Sequence, residues 1–243
     1  RSNQGGWYVQ RSFDYKLIQQ KNKGAAQARE RGVKESTTPY IFIFDADDHL
    51  SPDAIEATEK TLLNNPDISL PQFKIEQGDG SYTLLQYPDN KMLFSGIEAL
   101  GYTLGKWEVP GVMCVRREIF LKSYELYQKY NPQELNYMNN DEVISRFNFY
   151  YAKQVVRNLG TYTYKYNQAS TTKKINPNRY LMAKNVQILY QCFGKNMGEI
   201  SYKMQEEYIN VLWGLIKYLR RNKKDLPNSS DWITQIKELV DFI

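Results

Sequence analysis

The sequence predicts an α/β fold, with a mostly parallel sheet flanked by helices and a helical C-terminal extension. Three observations carry this. First, a strand–helix–strand order runs from "YKLIQQ" (15–20) through "NKGAAQARERGVKES" (22–36) to "YIFIF" (40–44). Such a βαβ unit implies parallel pairing. Second, "YIFIF" is a continuous apolar run, the pattern of a strand buried on both faces. Third, from about Pro177 the periodicity becomes wholly helical. The expected division is therefore an α/β domain over 1–176 and a helical extension over 177–243.

The elements follow from local chemistry. In the first helix Asn22 can cap, Ala25, Ala26 and Ala28 favour helix, and Gly32 stands near the end. "STTPY" then breaks it. "SPDAIEATEKTLLNN" reads as a helix with Ser51 as N-cap and Pro52 at the first helical position. "SLPQFKIEQ" and "SYTLLQY" flank Gly78-Asp79-Gly80 and predict a hairpin. Ser95 caps a short helix, "GVMCVRR" is a strand, and "REIFLKSYELYQKY" and "DEVISRFNFYYA" are helices. "QVVRNLGTYTYKYN" is strand material. Three helical stretches close the chain, beginning at "NRYLMAKN", "ISYKMQEE" and "SSDWITQI".

Composition narrows the function classes. Of 243 residues, 42% are hydrophobic and 14% aromatic, enough for a folded core. The net charge of +5 favours anionic partners without selecting one. No nucleic-acid recognition motif is present, so nucleic acid is not an expected partner. Cys114 and Cys192 lack metal-ligand spacing and read as buried free thiols, which fits a reducing cytoplasm. No apolar run approaches the roughly 18–20 residues that span a bilayer. The start, "RSNQGGWYVQRSFDY", carries no apolar strand, so a first βα unit is expected to be missing from the sequence. One histidine, no GxSxG elbow and no partnered cysteine set nucleophilic hydrolysis aside.

The chemistry concentrates in "DADDH" (45–49), at the carboxyl end of the "YIFIF" strand, where open α/β sheets bind ligands. Asp45 and Asp47 can together hold Mg2+ or Mn2+, which take carboxylate oxygens and leave positions for phosphate. Such an ion would relieve the repulsion within the cluster. Asp48 is expected to share its role with helix capping. His49 is expected to be a solvent-side bystander.

The ordered series "QQKNKGAAQARERGVKESTTPYIFIFDADDHLSPDAIE" resembles the family 2 glycosyltransferases of GT-A fold, of the bacterial polysaccharide or glycoconjugate type. Asn22, Gly24, Ala28, Arg29, Gly32, Asp45, Asp47, Asp48 and Pro52 fall in the family pattern, with Glu30 standing where Asn is usual. "VPGVMCVRREIF", "MNNDEVISRFNF" and "TYTYKYNQASTTKK" continue the resemblance more thinly. In the second of these, Asn140-Asp141 replaces the usual Glu-Asp. In the third, Tyr164 and Ser170 match.

The resemblance implies a metal-dependent transfer of sugar, with inversion, from a nucleoside-diphosphate sugar, expected to be a UDP-sugar. The acceptor would be a hydroxyl of a glycan or lipid-linked molecule. Asn22, Arg29 and Asp45 would face the nucleotide sugar, Asp47 and Asp45 would hold the ion, and Asp141 would be the general base. Asp141 opens a helix, whose dipole favours a carboxylate. Its competing readings are an N-cap, or displacement as base by Glu142. Arg29 could instead pair with the acidic cluster.

Lys173 and Lys174 could close over the diphosphate, or could be a solvated pair. Trp107 could stack on a sugar or fill the core. Met204, Tyr208, Val211, Leu212, Leu215 and Leu219 form an apolar stripe followed by "LRRNKK". The stripe would pack internally or against a second subunit, or would touch the inner face of the cell membrane. The rivals are a nucleotidyltransferase and a non-catalytic sugar-binding or scaffolding module.

Overall fold

The computed structural model describes residues 14, 16–105, 108–166 and 175–243. Trp107, Ser170, Lys173 and Lys174 lie outside them. Helix α1 (Ala25–Glu35) leads to strand β1 (Tyr40–Phe42), the short β2 (His49–Leu50) and α2 (Ala54–Leu62). Then come β3 (Ile68–Glu76), β4 (Tyr82–Leu84), β5 (Leu93–Phe94) and α3 (Gly96–Thr103). β6 (Cys114–Arg116), α4 (Arg117–Tyr130), α5 (Asn140–Tyr151) and β7 (Val155–Tyr164) complete the α/β part. After a 3₁₀ turn, α6 (Met182–Phe193), α7 (Glu199–Asn222) and α8 (Ser229–Phe242) form the helical C-terminal part.

The layered α/β plan holds: α2 packs on β3 and β7, and α4 on β6. The sheet is mixed rather than mostly parallel. Its order is β1-β6-β3-β7-β2, with β4 on β3 and β5 on β7. Among the described residues only β3 and β7 pair in parallel, with Phe73 opposite Tyr162 and Ile75 opposite Tyr164. β1 pairs antiparallel with β6. Among the described residues the βαβ unit expected at the start is not seen, since residues 16–20 are irregular. β1 is also half-buried rather than covered on both faces, and Phe44 beyond it is 43% exposed.

Two caps differ from expectation. Asn22 does not cap α1. Gly24 holds that position at φ 91°, a conformation suited to glycine, and its N–H donates to Asn22 Oδ1 at 3.0 Å. Ser51 does not cap α2, which Asp53 precedes. Instead Ser51 Oγ accepts from the Thr161 N–H at 2.9 Å and its own N–H donates to Thr161 O at 2.8 Å. These bonds fasten the acidic turn to β7. The predicted Ser95 cap is present, with Glu98 completing a capping box. The predicted hairpin is the β3–β4 pair.

The core is continuous from Ile68, Leu70 and Val155 in the sheet through Phe147 and Phe149 of α5 to Phe193, Met204, Tyr208 and Trp232 of the C-terminal helices. The sequence-predicted stripe on α7 is part of it: Met204, Tyr208 and Leu215 are buried, and Val211, Leu212 and Leu219 pack against it. That stripe is covered by the protein itself. Both cysteines are free, and burial pushes the Cys114 thiol up to about 12 and the Cys192 thiol up to about 11. No helix among the described residues is long and apolar enough to cross a membrane.

Candidate functional site

The turn after β1 and the start of α5 face each other across one cleft of about 220 Å³. Arg29, Asp45, Asp48, Asn140, Asp141 and Glu142 supply its charged and polar wall, and Phe73, Met113, Phe120, Tyr124, Tyr162 and Tyr164 its apolar wall. Helix α1 delivers Arg29, which links two of the acids. Its Nη2 donates to both carboxylate oxygens of Asp45 at 3.1 Å, and its Nη1 lies 3.7 Å from Asp141 Oδ2. Burial lowers the Arg29 pKa, but the negative charges of Asp141 and Asp45 outweigh it and leave the pKa raised. The guanidinium is therefore held charged between two carboxylates that themselves face water, at 49% and 57% exposure.

The acids of "DADD" separate by environment. Asp48 is buried, accepts from the Tyr162 hydroxyl, and accepts from the Lys165 N–H at 3.0 Å. It anchors the turn to β7 and caps no helix. Tyr162 is itself fixed, stacked on Phe73 at 5.8 Å and edge-on to Phe44 at 5.7 Å. Burial first, then the bond to Asp48, raises its phenol pKa. The Asp48 N–H closes the turn on Asp45 O at 3.1 Å, so Asp45 and Asp47 project from a tethered loop. Asp47 and His49 are exposed. Asn22 does not line the cleft.

The carboxylates of Asp45 and Asp47 are hard oxygen donors of the type Mg2+ or Mn2+ takes. Among the described residues no group of three or more His, Cys, Asp or Glu closes a cage.

At the opening of α5, Asn139 is the N-cap residue, in a left-handed conformation at φ 60°, so Asp141 is not the cap. Glu142, its neighbour, is tied down: it accepts from Asn139 Nδ2 at 3.1 Å and from Arg146 Nη1 at 3.3 Å. Burial, with repulsion from Asp141 and Glu207, raises the Glu142 pKa against the opposing pull of Arg146. Asp141 is the more open of the two. Sequence reasoning brought Arg29, Asp45 and Asp141 to this cleft. It missed Tyr162, Tyr124 and Phe120, whose only sequence signal is aromatic richness.

Residues 7–125 match the model of the family described as Glycosyl transferase family 2. No curated protein matches the chain. Among solved structures it is similar to the crystal structure of S. aureus TarS 1-349, at 12% identity and a TM-score of 0.44, over 89% of this chain and 68% of that one. The family match ends within α4, so it includes Asn22, Arg29, Asp45 and Asp47 but not Asp141. The family match thus covers residues 7–125, just under half of the chain.

Proposed function

We propose that the chain transfers a sugar, with inversion, from a nucleoside-diphosphate sugar, a UDP-sugar foremost, to a hydroxyl of a glycan or lipid-linked acceptor. The observation that carries this reading is the meeting of Arg29, Asp45 and Asp141 in one cleft, with the exposed Asp47 on the same turn as Asp45. Asp47, with Asp45, would hold Mn2+ or Mg2+, whose charge would stabilise the departing diphosphate. Arg29 supplies a fixed positive charge at the same place, and an incoming diphosphate would compete with Asp45 for it. Asp141 takes the proton of the attacking hydroxyl, a role that suits an ionised, solvent-accessible carboxylate. One base and one displacement give inversion. Tyr164, 41% exposed on the apolar wall, would offer a ring face to a sugar.

The division into a catalytic domain over 1–176 and an extension over 177–243 belongs to the same proposal, as does work at the cytoplasmic side. A thermal-shift screen of nucleoside-diphosphate sugars, with and without Mn2+, tests the reading. At least one donor should raise the melting temperature only when Mn2+ is present, and Asp47→Ala should remove that rise. A flat response to every donor would refute the enzyme reading and favour a non-catalytic module.

A further inference from the structure

Helix α7 is apolar on two sides. One side carries Met204, Tyr208 and Leu215 into the core. The opposite side runs through Tyr202, Glu206, Ile209, Trp213, Ile216 and Arg220, spaced by three or four residues and therefore in line on a helix. Its apolar centre is open: Ile209 is 47% and Trp213 52% exposed. The ends differ in sign. Toward the N-terminal end Glu199 is neutralised by Lys203 at 2.9 Å, which leaves Glu206, with Glu108 beside it on the adjoining hollow, as the acidic end. Lys217, Arg220 and Arg221 stand toward the C-terminal end. Glu206 and Arg220 are exposed and form no ion pair among the described residues.

We propose that this face is a self-association surface, on which a second copy of the chain packs its own α7 antiparallel across a two-fold axis near Trp213. In an isologous contact each surface must complement itself. Placing Trp213 against its copy brings Glu206 opposite the partner copy's Arg220, and Ile209 opposite the stem of Lys217. The acid–apolar–base order thus becomes complementary when reversed. A parallel pairing would set like charges together. An anionic bilayer would attract one end of the stripe and repel the other, which argues against a lipid surface. A central tryptophan flanked by arginine is also the composition of an energetic interface centre.

The test is sedimentation velocity of the full chain over a hundredfold concentration series. The wild type should shift from monomer to dimer. Trp213→Glu should move the midpoint upward at least about tenfold, the size expected of a central interface residue. Glu206→Arg and Arg220→Glu should each weaken the dimer, and the chain carrying both should recover it, because the swap restores both symmetric pairs. Circular dichroism of each variant should match the wild type, since these side chains are exposed. A wild type that stays monomeric would overturn the proposal, whether or not it sediments with anionic vesicles. So would a dimer indifferent to Trp213→Glu, or a double variant no tighter than either single one.

Discussion

Arg29 and Arg146 each bridge two carboxylates, and they do so in different settings. Arg29 joins Asp45 and Asp141 at the mouth of the cleft, where both acids are about half exposed. Arg146 is buried, its side chain only 6% exposed, and joins Glu207, at 18%, to Glu142, which at 45% still faces the cleft; its Nη2 also donates to Thr103 O at 2.9 Å. Glu207 in turn accepts from the Gly105 N–H at 3.0 Å, so the buried bridge ties α5, the end of α3 and α7 together. The same chemistry fastens helices in one place and leaves exchangeable charge in the other. Water decides which. An exposed pair can give up a partner to an incoming anion at little cost, whereas a buried one cannot lose a member without stranding a charge.

The largest expected effect breaks the interior bridge. Arg146→Met should destabilise the chain by about 3 kcal/mol, the low end for breaking a buried pair because Glu142 retains some access to water. Denaturant unfolding followed by circular dichroism measures it, and a loss near zero would mean the bridge is ornamental. Next comes Tyr162→Phe, which removes the hydroxyl donor to buried Asp48. A loss of about 1–3 kcal/mol is expected, together with weaker Mn2+-dependent donor binding, because the turn bearing Asp45 and Asp47 loses an anchor. Arg29→Met should change stability by no more than about 1 kcal/mol yet weaken donor binding in calorimetric titration. The reverse pattern would make Arg29 a structural tie like Arg146.

The smallest effect is a pH dependence. The folded-state pKa of Glu142 is raised above its ordinary 4.5, first by burial. As pH rises through the interval between these values, the unfolded chain releases this proton before the folded one, so stability falls. Glu142→Gln lacks that fall. Its stability relative to wild type should therefore improve as pH rises from about 4 toward 7, in unfolding curves at matched ionic strength.

This contrast also separates what the sequence could and could not reveal. Helix α4 spans Arg117–Tyr130, as its periodicity predicts, and the Ser95 cap is where its chemistry places it. These are local signals. Arg29 and Asp45 lie in one short segment and meet in the cleft, whereas Asp47 is exposed and does not line it. Asp48 was misread as a helix cap because its partners, Tyr162 and Lys165, lie more than a hundred positions later. The mixed sheet was missed for a related reason. A strand's apolar run does not say which neighbour it meets, and β1 pairs with β6 rather than continuing a βαβ unit. Only the Glu142–Arg146 half of this bridge, an i,i+4 pair, could be read from the sequence; Glu207 belongs to another helix, and only folding brings it to α5.

The central claim is that the open bridge serves chemistry, with Asp141 as the base. The most direct measurement is nucleoside-diphosphate release by Asp141→Asn, using a donor that stabilises the wild type, with water and with added glycan hydroxyls as acceptors. Donor affinity by calorimetry should stay within a few-fold of wild type, while turnover falls by about 10²–10⁴, the scale of a lost general base. Turnover retained at the wild-type rate would contradict the account and place the base elsewhere.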